Sequence, residues 1–398
     1  MHICHIRIYS VAVPRVYHTR VAPTGGHSKN ASRYYILELE TNTGLRGLGE
    51  ISDLEDAWQA PSPAVLCETL TPLLVGADPR KRLLAWERVA EALPASYHPE
   101  FRRLVCAAVE MALIDLAGKY YNAPAHALLG GQYRDALPIS WVAYIRSADE
   151  LAEEIQEKVN AGFTAFKLKV GADFDLDCER VRVCRQIVGP DAYLKADASG
   201  AWEQEEAIER IRELAALGVD AVETPIQCVA RKVAKDHPEQ VNADPDSAAV
   251  ALAKVRAAVP AALIEHVADF DDSFALALLH HRAVDAFNVA PVQAGSLHRA
   301  QRLSQLAAAA GVPVLLGSTV ELGIGTAAAM HLGVATKAVC APSDLVGPGL
   351  LASDVVAPRL TYQQGCLHAP PGPGLGVELI PTRLSSPKTE LMEQKGTS

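Results

Sequence analysis

AFKLKV, at residues 165–170, is a short apolar run that carries lysines at two alternate positions, Lys167 and Lys169. Read as a strand, it places both ammonium groups on one face, because side chains alternate along extended backbone. Similar short runs follow it. YLKAD at Tyr193–Asp197, AVE at Ala221–Glu223 and ALIE at 262–265 each end on a carboxylate. Further runs stand at 139–144, 286–290 and 314–317, and the stretches between them, such as 150–161 and 204–217, have helical period. Strand and helix alternating at intervals of roughly 25–30 residues predict a parallel α/β architecture. Seven or eight such units over about 220 residues favour a (β/α)8-type barrel over an open sheet. No GxGxxG follows the first strand, against a dinucleotide fold. The fourth and fifth runs lie farther apart than the others. The surplus is the polar segment VARKVAKDHPEQVNADPDS, residues 229–247, read as an insertion at one end of the barrel.

Outward from this core, the first fifty residues read as a β-meander, with strands at 3–13, 34–40 and 45–51 and a turn at Asn42-Thr43-Gly44. The Gly25-Gly26 loop at 19–32 and the irregular stretch 52–63 are the expected substrate-specificity segments. From 64 to 121 the pattern is helical, with Leu104, Ala108, Met111, Ala112 and Asp115 at three- and four-residue steps. The tail after Pro358 is rich in Gly and Pro and reads as an extended strap. The expected division is an α+β capping domain over 1–125, a barrel over 126–360 and a C-terminal strap over 361–398 returning to the capping domain.

Composition narrows the function. The 398 residues are 49% hydrophobic and 21% charged, which excludes a disordered chain, a collagen and a coiled coil. The formal charge is 37 − 47 = −10, which argues against a nucleic-acid partner. The longest uncharged stretch, 303–320, contains Gln305, Gly311 and Pro313 and reads as a helix followed by a buried strand, not a membrane span. The amino terminus alternates like a strand, carries Arg7 and lacks the apolar core of a signal peptide, so the expected location is the cytoplasm. Eight cysteines form no CxxC pair and read as reduced thiols.

In a parallel barrel the functional end is the C-terminal end of the strands. There Asp197, Glu223 and Glu265 are expected to converge. Carboxylates so close repel unless a cation joins them, and oxygen ligands without Cys or His suggest Mg²⁺. The adjacent lysines are expected to lower each other's pKa, which suits one to act as a base.

These residues, with TNTGLRGLGE (41–50), AAVEMALIDLAGKYYNAPAHALLGG (107–131), KLKVG, LKADASGAW, VETPI, GSTVELGIGTAAAMH (317–331), DLVGPGLLASDVVAPRL (344–360) and GPGLGVEL (372–379), resemble the mandelate racemase/muconate lactonizing enzyme group of the enolase superfamily. The resemblance spans nearly the whole chain. It implies a capping domain over a modified (β/α)7β barrel, a homo-oligomer, and Mg²⁺-assisted removal of the proton α to a carboxylate. By resemblance Lys169 is the base with Lys167 beside it, Asp197, Glu223 and Glu265 are metal ligands, and Glu321 is the electrophilic or hydrogen-bonding acid. The family's second bases, a lysine on strand six or a histidine on strand seven, fall at Ala290 and Gly317. One proton-transfer face is therefore expected to be empty. The leading expectation is a one-base lyase (dehydratase) or cycloisomerase acting on a small organic carboxylate. The alternatives are a racemase or epimerase with an unrecognised second acid, and a catalytically inactive ligand-binding member. His27, Ser318 and His266 are candidate substrate contacts, and Arg20 and Lys29 are charges of the first specificity loop.

Overall fold

The computed structural model describes residues 1–21, 28–226 and 244–384 and the backbone of 390–395. Two long antiparallel strands, Ile3–Arg20 and Ser28–Thr41, and a short one, Arg46–Ile51, build the N-terminal sheet, which Glu390–Lys395 extends by pairing with the first strand. The 23-residue helix Pro99–Tyr121 lies on the third strand. The strand sequence RGLGEI lets it approach closely. A Cβ at Gly47 would sit 2.2 Å from Ala112 O, and one at Gly49 only 1.9 Å from Ala108 O. This is the α+β domain.

The second unit is a modified (β/α)7β barrel. Its seven parallel strands are Ser140–Ala143, Ala165–Lys169, Tyr193–Asp197, Ala221–Glu223, Ala262–His266, Ala286–Val289 and Val314–Leu316, adjacent in chain order. Each is buried on both faces, which is why each reads as an apolar run without alternation. The sheet closes through an extended segment that bridges both edges, Val339 beside Val314 and Ser343 beside Ile139. The uncharged stretch 303–320 is the end of helix Leu297–Ala309 and the strand Val314–Leu316, as its residues predict. Among the described residues no helix is long and apolar enough to cross a membrane, and the described cysteines are free. The expected insertion, 229–247, lies outside the described residues as far as 243; its last residues begin the helix Pro245–Ala258.

Buried carboxylates fasten the two units and the tail together. Asp115 accepts hydrogen bonds from Leu48 N (3.0 Å), Leu375 N (2.8 Å) and Lys119 Nζ (3.0 Å), so one side chain joins helix, sheet and C-terminal segment. Glu50 reaches from the capping sheet to the barrel, accepting from Leu322 N and Gly325 N, each at 2.8 Å. Tyr34 Oη donates to Val320 O at 2.7 Å alongside it.

Removing one partner of a buried charged pair typically costs about 3–5 kcal/mol. Asp115→Ala is therefore expected to lose stability of about that size in urea denaturation; a loss below about 1 kcal/mol would show that the staple is dispensable. Glu50 gives a pH signature. Burial pushes its carboxyl up to about 8, opposed by the hydrogen bonds from Gly325 and Leu322 and assisted by the negative charge of Glu321. The native state then binds this proton more readily than the unfolded chain, whose glutamate titrates at its ordinary value of 4.5. Stability should fall as pH rises from about 4.5 to about 8, and Glu50→Gln, which cannot ionise, should flatten that slope. Urea midpoints measured across this range check it, and an unchanged slope in the variant would contradict it.

Candidate active site

A cavity of about 580 Å³ lies at the C-terminal ends of the barrel strands, roofed by Arg15, Asp53, Trp58 and His98 of the capping domain. Its floor is set by strand register. Lys169 pairs with Asp197, and Asp197 with Glu223, so the three side chains leave neighbouring strands at one level and on one face.

The centre of the floor is Lys167. Its Nζ lies 3.0 Å from Asp197 Oδ2, 2.9 Å from Glu223 Oε2 and 2.9 Å from Asp344 Oδ2. The sequence pattern predicts that the paired lysines depress each other. For Lys167 the outcome is the reverse. Burial alone would push it down, but Asp197, Asp344 and Glu223 overcome that and hold it well above the ordinary lysine range. Asp197 is fixed far below the usual carboxylate range: burial would raise it, and Lys167 and Lys169 outweigh burial. Asp344 also accepts from Lys195 Nζ at 2.7 Å, and burial is again outweighed by the two lysines, so its carboxyl is lowered. Three ammonium groups thus face three carboxylates. Lys169 donates to Asp197 Oδ2 at 2.6 Å. Its side chain is 18% exposed where that of Lys167 is 5% exposed, so Lys169 is the lysine a ligand can reach.

Glu265 departs from the expected trio of converging carboxylates. Register pairs it with Phe287, a core residue, while the next residue, His266, pairs with Asn288, and both His266 and Asn288 line the cavity. Glu265 is one position off that face. Its Oε1 accepts from Thr224 Oγ1 at 3.0 Å and from His266 N at 3.0 Å, behind the cavity wall. Asp269 lines the cavity instead. Among the described residues no group of three or more His, Cys, Asp and Glu is arranged to hold a metal ion. The convergent oxygen donors are the pair Asp197 and Glu223, with Asn288 Nδ2 donating to Glu223 Oε1 at 2.8 Å.

Glu321 is buried behind the wall. It accepts from Ser318 Oγ, from Thr319 N at 2.8 Å and from Thr319 Oγ1 at 3.0 Å, and burial raises its carboxyl. Ser318 and Thr319 are the cavity residues it fixes. Ala290 is fully buried and Gly317, beside Asn288 Oδ1, has no side chain, so neither position carries an acid–base group. His27 lies outside the described residues. Arg20 ends the first strand and is absent from the cavity lining, and Lys29 is held by Asp53 (2.9 Å) and Glu55 (2.6 Å). From the stretch 52–63, Ser52, Asp53, Glu55, Ala57 and Trp58 line the cavity, with Trp58 stacked on His98 at a centroid distance of 5.6 Å.

Sequence reasoning missed Lys195, Asp344 and Asn288. Lys195 had a signal, since it stands two residues before Asp197 and therefore on the same face. Asp344 lies in the irregular closing segment, where no periodicity marks it. Backbone strain is concentrated here too: Asp53, Ser199, Thr224 and Val320 all have positive φ (45°, 51°, 44° and 68°) and all line the cavity. For a β-branched valine this is a costly conformation, of the kind that persists where the surroundings over-determine it.

Residues 150–383 match the family model described as enolase C-terminal domain-like, and residues 6–130 match the N-terminal domain model of mandelate racemase/muconate lactonizing enzyme. An N-succinyl-L-Arg/Lys racemase of Bacillus cereus is 26% identical over 386 residues, covering 95% of this chain and 96% of the relative. The crystal structure of a muconate lactonizing enzyme from Pseudomonas fluorescens, complexed with muconolactone, superposes with a TM-score of 0.83 at 26% identity, covering 96% of this chain and 98% of its own. A dipeptide epimerase from Enterococcus faecalis, complexed with Mg and the dipeptide L-Leu-L-Tyr, gives 0.80 at 25% identity over 95% of this chain and 99% of its own. Capping sheet and closed barrel agree with these matches, and the chain belongs to the mandelate racemase/muconate lactonizing enzyme group of the enolase superfamily, an enzyme of its lyase and isomerase class.

Proposed function

We propose that the protein removes the proton α to the carboxylate of a small organic acid, with Lys169 as the base. The observation that carries this reading is the unequal fate of the two lysines. Lys167 is locked by three carboxylates and stays charged, whereas Lys169 makes one short ion pair and faces the cavity. The first is suited to stand as a fixed positive charge and the second to exchange a proton. Loss of an α-proton drives negative charge onto the substrate carboxylate, and a buried ammonium beside it offsets that charge without reorganising. Thr319 and Ser318, fixed by Glu321, offer hydroxyl groups from the same wall.

The donor set suits a divalent cation of the hard, oxygen-seeking kind. Asp197 and Glu223 converge, and Mg²⁺ is commonly held by one or two carboxylates with the remaining positions left to water and substrate. The cation, when bound, supplies further stabilisation of charge on the substrate carboxylate. Glu265 is not part of this donor set. With Lys169 alone, the supported outcomes are those that need a proton group on one face, elimination or cycloisomerisation, since Ala290 and Gly317 supply none on the other. The joint presence of Lys167, Lys169, Asp197 and Glu223 in one cavity favours catalysis over a ligand-binding role.

Lys169→Ala is expected to reduce α-proton exchange by about 10²–10⁴-fold or more. The measurement is proton NMR in D₂O with Mg²⁺, over a panel of N-succinyl amino acids, dipeptides and muconolactone; wild-type exchange by the variant would refute the assignment. Asp197→Asn and Glu223→Gln should each weaken Mg²⁺ binding by at least about tenfold in calorimetry. Unchanged affinity in both would remove the pair as ligands.

A further inference from the structure

Seven carboxylates line the cavity, and among the described residues six of them face a basic side chain. Asp53 and Glu55 meet Lys29, Asp197, Glu223 and Asp344 meet Lys167, and Asp269 meets His266. Glu100 is the exception. The polar partner of its side chain among the described residues is an amide, Gln293 Nε2, which donates to Glu100 Oε1 at 2.8 Å. A carboxylate only accepts, so this bond sets the amide nitrogen toward Glu100 and leaves Gln293 Oε1 as a further acceptor. Gln293 follows the sixth barrel strand, four strands round the sheet from the one that carries Lys169. Its loop is held by Trp86 Nε1 on Gly295 O (3.0 Å) and by Arg299 on Ala294 O (3.1 Å). Glu100 sits in the first turn of the helix Pro99–Tyr121, outside both cap segments expected to set specificity, 19–32 and 52–63. Beside it His98 stacks on Trp58 and accepts from Glu100 N through Nδ1 at 3.3 Å. Burial lowers the His98 pKa against the pull of Glu100, so the imidazole brings no positive charge to this wall.

We propose that Glu100 is a specificity-determining residue, selecting substrates that carry a cationic distal group, an ammonium or a guanidinium, at the end of the cavity away from the base. This rests on the reading of Lys169 as the base that works at the α-carbon. The Glu100 carboxylate and Gln293 Oε1 offer lone pairs, and neither meets a charged donor among the described residues. Ammonium and guanidinium groups carry several N–H donors and no acceptor, so they match this set, and their bonds to a carboxylate are of the stronger, charge-assisted kind. Trp58 adds an aromatic surface to the same wall, which also favours a cation. A distal carboxylate would meet Glu100 as a like charge, and an apolar tail would cover it without a counterion, which is costly. A cavity of about 580 Å³ has room for such a tail in addition to the reacting carboxylate. The substrate class becomes a carboxylic acid with a proton-bearing α-carbon and a basic side chain.

The test uses the full-length enzyme with Mg²⁺ and, in the N-succinyl and dipeptide series, the arginine member against its uncharged isostere citrulline. Exchange of the α-proton in D₂O should show kcat/KM about tenfold or more higher for the arginine member, carried by KM. Glu100→Gln keeps an oxygen for the Gln293 amide and removes only the charge. It should lower kcat/KM for the arginine member by about 10–10²-fold and leave that for citrulline within about threefold of wild type. Equal exchange of the two by the wild type overturns the proposal. So does an equal loss on both in the variant, which is what a merely structural carboxylate would produce. Calorimetry of both ligands on the Mg²⁺-loaded enzyme separates this proposal from the Lys169 reading. If neither ligand exchanges, yet the arginine member binds about tenfold more tightly and Glu100→Gln abolishes the difference, Lys169 fails as the base and the Glu100 subsite stands. Absence of exchange together with equal binding overturns both.

Discussion

The structure turns on one ammonium group. Lys167 is buried at the centre of the barrel mouth, and no single carboxylate could keep it charged there. Asp197 comes from the third strand, Glu223 from the fourth and Asp344 from the closing segment, so the ion is compensated only when all three elements are in register. Desolvating these ions is expensive, and the Coulomb attraction repays it only where the geometry is good and the remaining lone pairs are satisfied. Ser199, Asn288 and Lys195 supply that satisfaction.

The capping domain matters because the barrel alone leaves the site open. Glu50, Tyr34 and Trp86 cross the interface to the backbone of Leu322 and Gly325, Val320 and Gly295, in the loops after the sixth and seventh strands and the start of the helix Gly323–Ala335. One of these residues, Val320, has a strained backbone. The hydrogen bonds from the cap therefore do more than join two units: they hold in place the backbone that presents Ser318, Thr319 and Val320 to the ligand. Specificity and stability share the same contacts, and a change to one disturbs the other.

Much of this was legible in the amino-acid sequence. Parallel strands buried on both faces read as apolar runs, so a lysine or carboxylate at the end of one stands out, as Lys169, Asp197 and Glu223 do. What failed was register. ALIEH carries two polar residues side by side, and composition does not say whether Glu265 or His266 faces inward; only pairing with Asn288 decides it. The depressed pKa expected for Lys167 failed because Asp197, Asp344 and Glu223 together outweigh burial and the neighbouring lysine; of the three, Asp344, in a segment without period, was the one the sequence did not reveal. The polar insertion at 229–247 was visible as an interruption of the rhythm, but its residues up to 243 lie outside the described structure.

The closing segment has a consequence for how the chain is made. Asp344 lies 177 residues after Lys167, and the same segment seals the barrel between its first and seventh strands. A ribosome extending the chain delivers the second strand with its lysines long before it delivers that acid. Until residues 339–344 emerge from the exit tunnel, the half-made barrel has both a raw edge and an under-compensated cation at its centre, so Lys167 has reason to stay in water. Sealing the sheet and burying the charge then occur in one late event. The nascent enzyme spends most of its synthesis as an open precursor, and it is at this stage that chaperones and proteases would meet it.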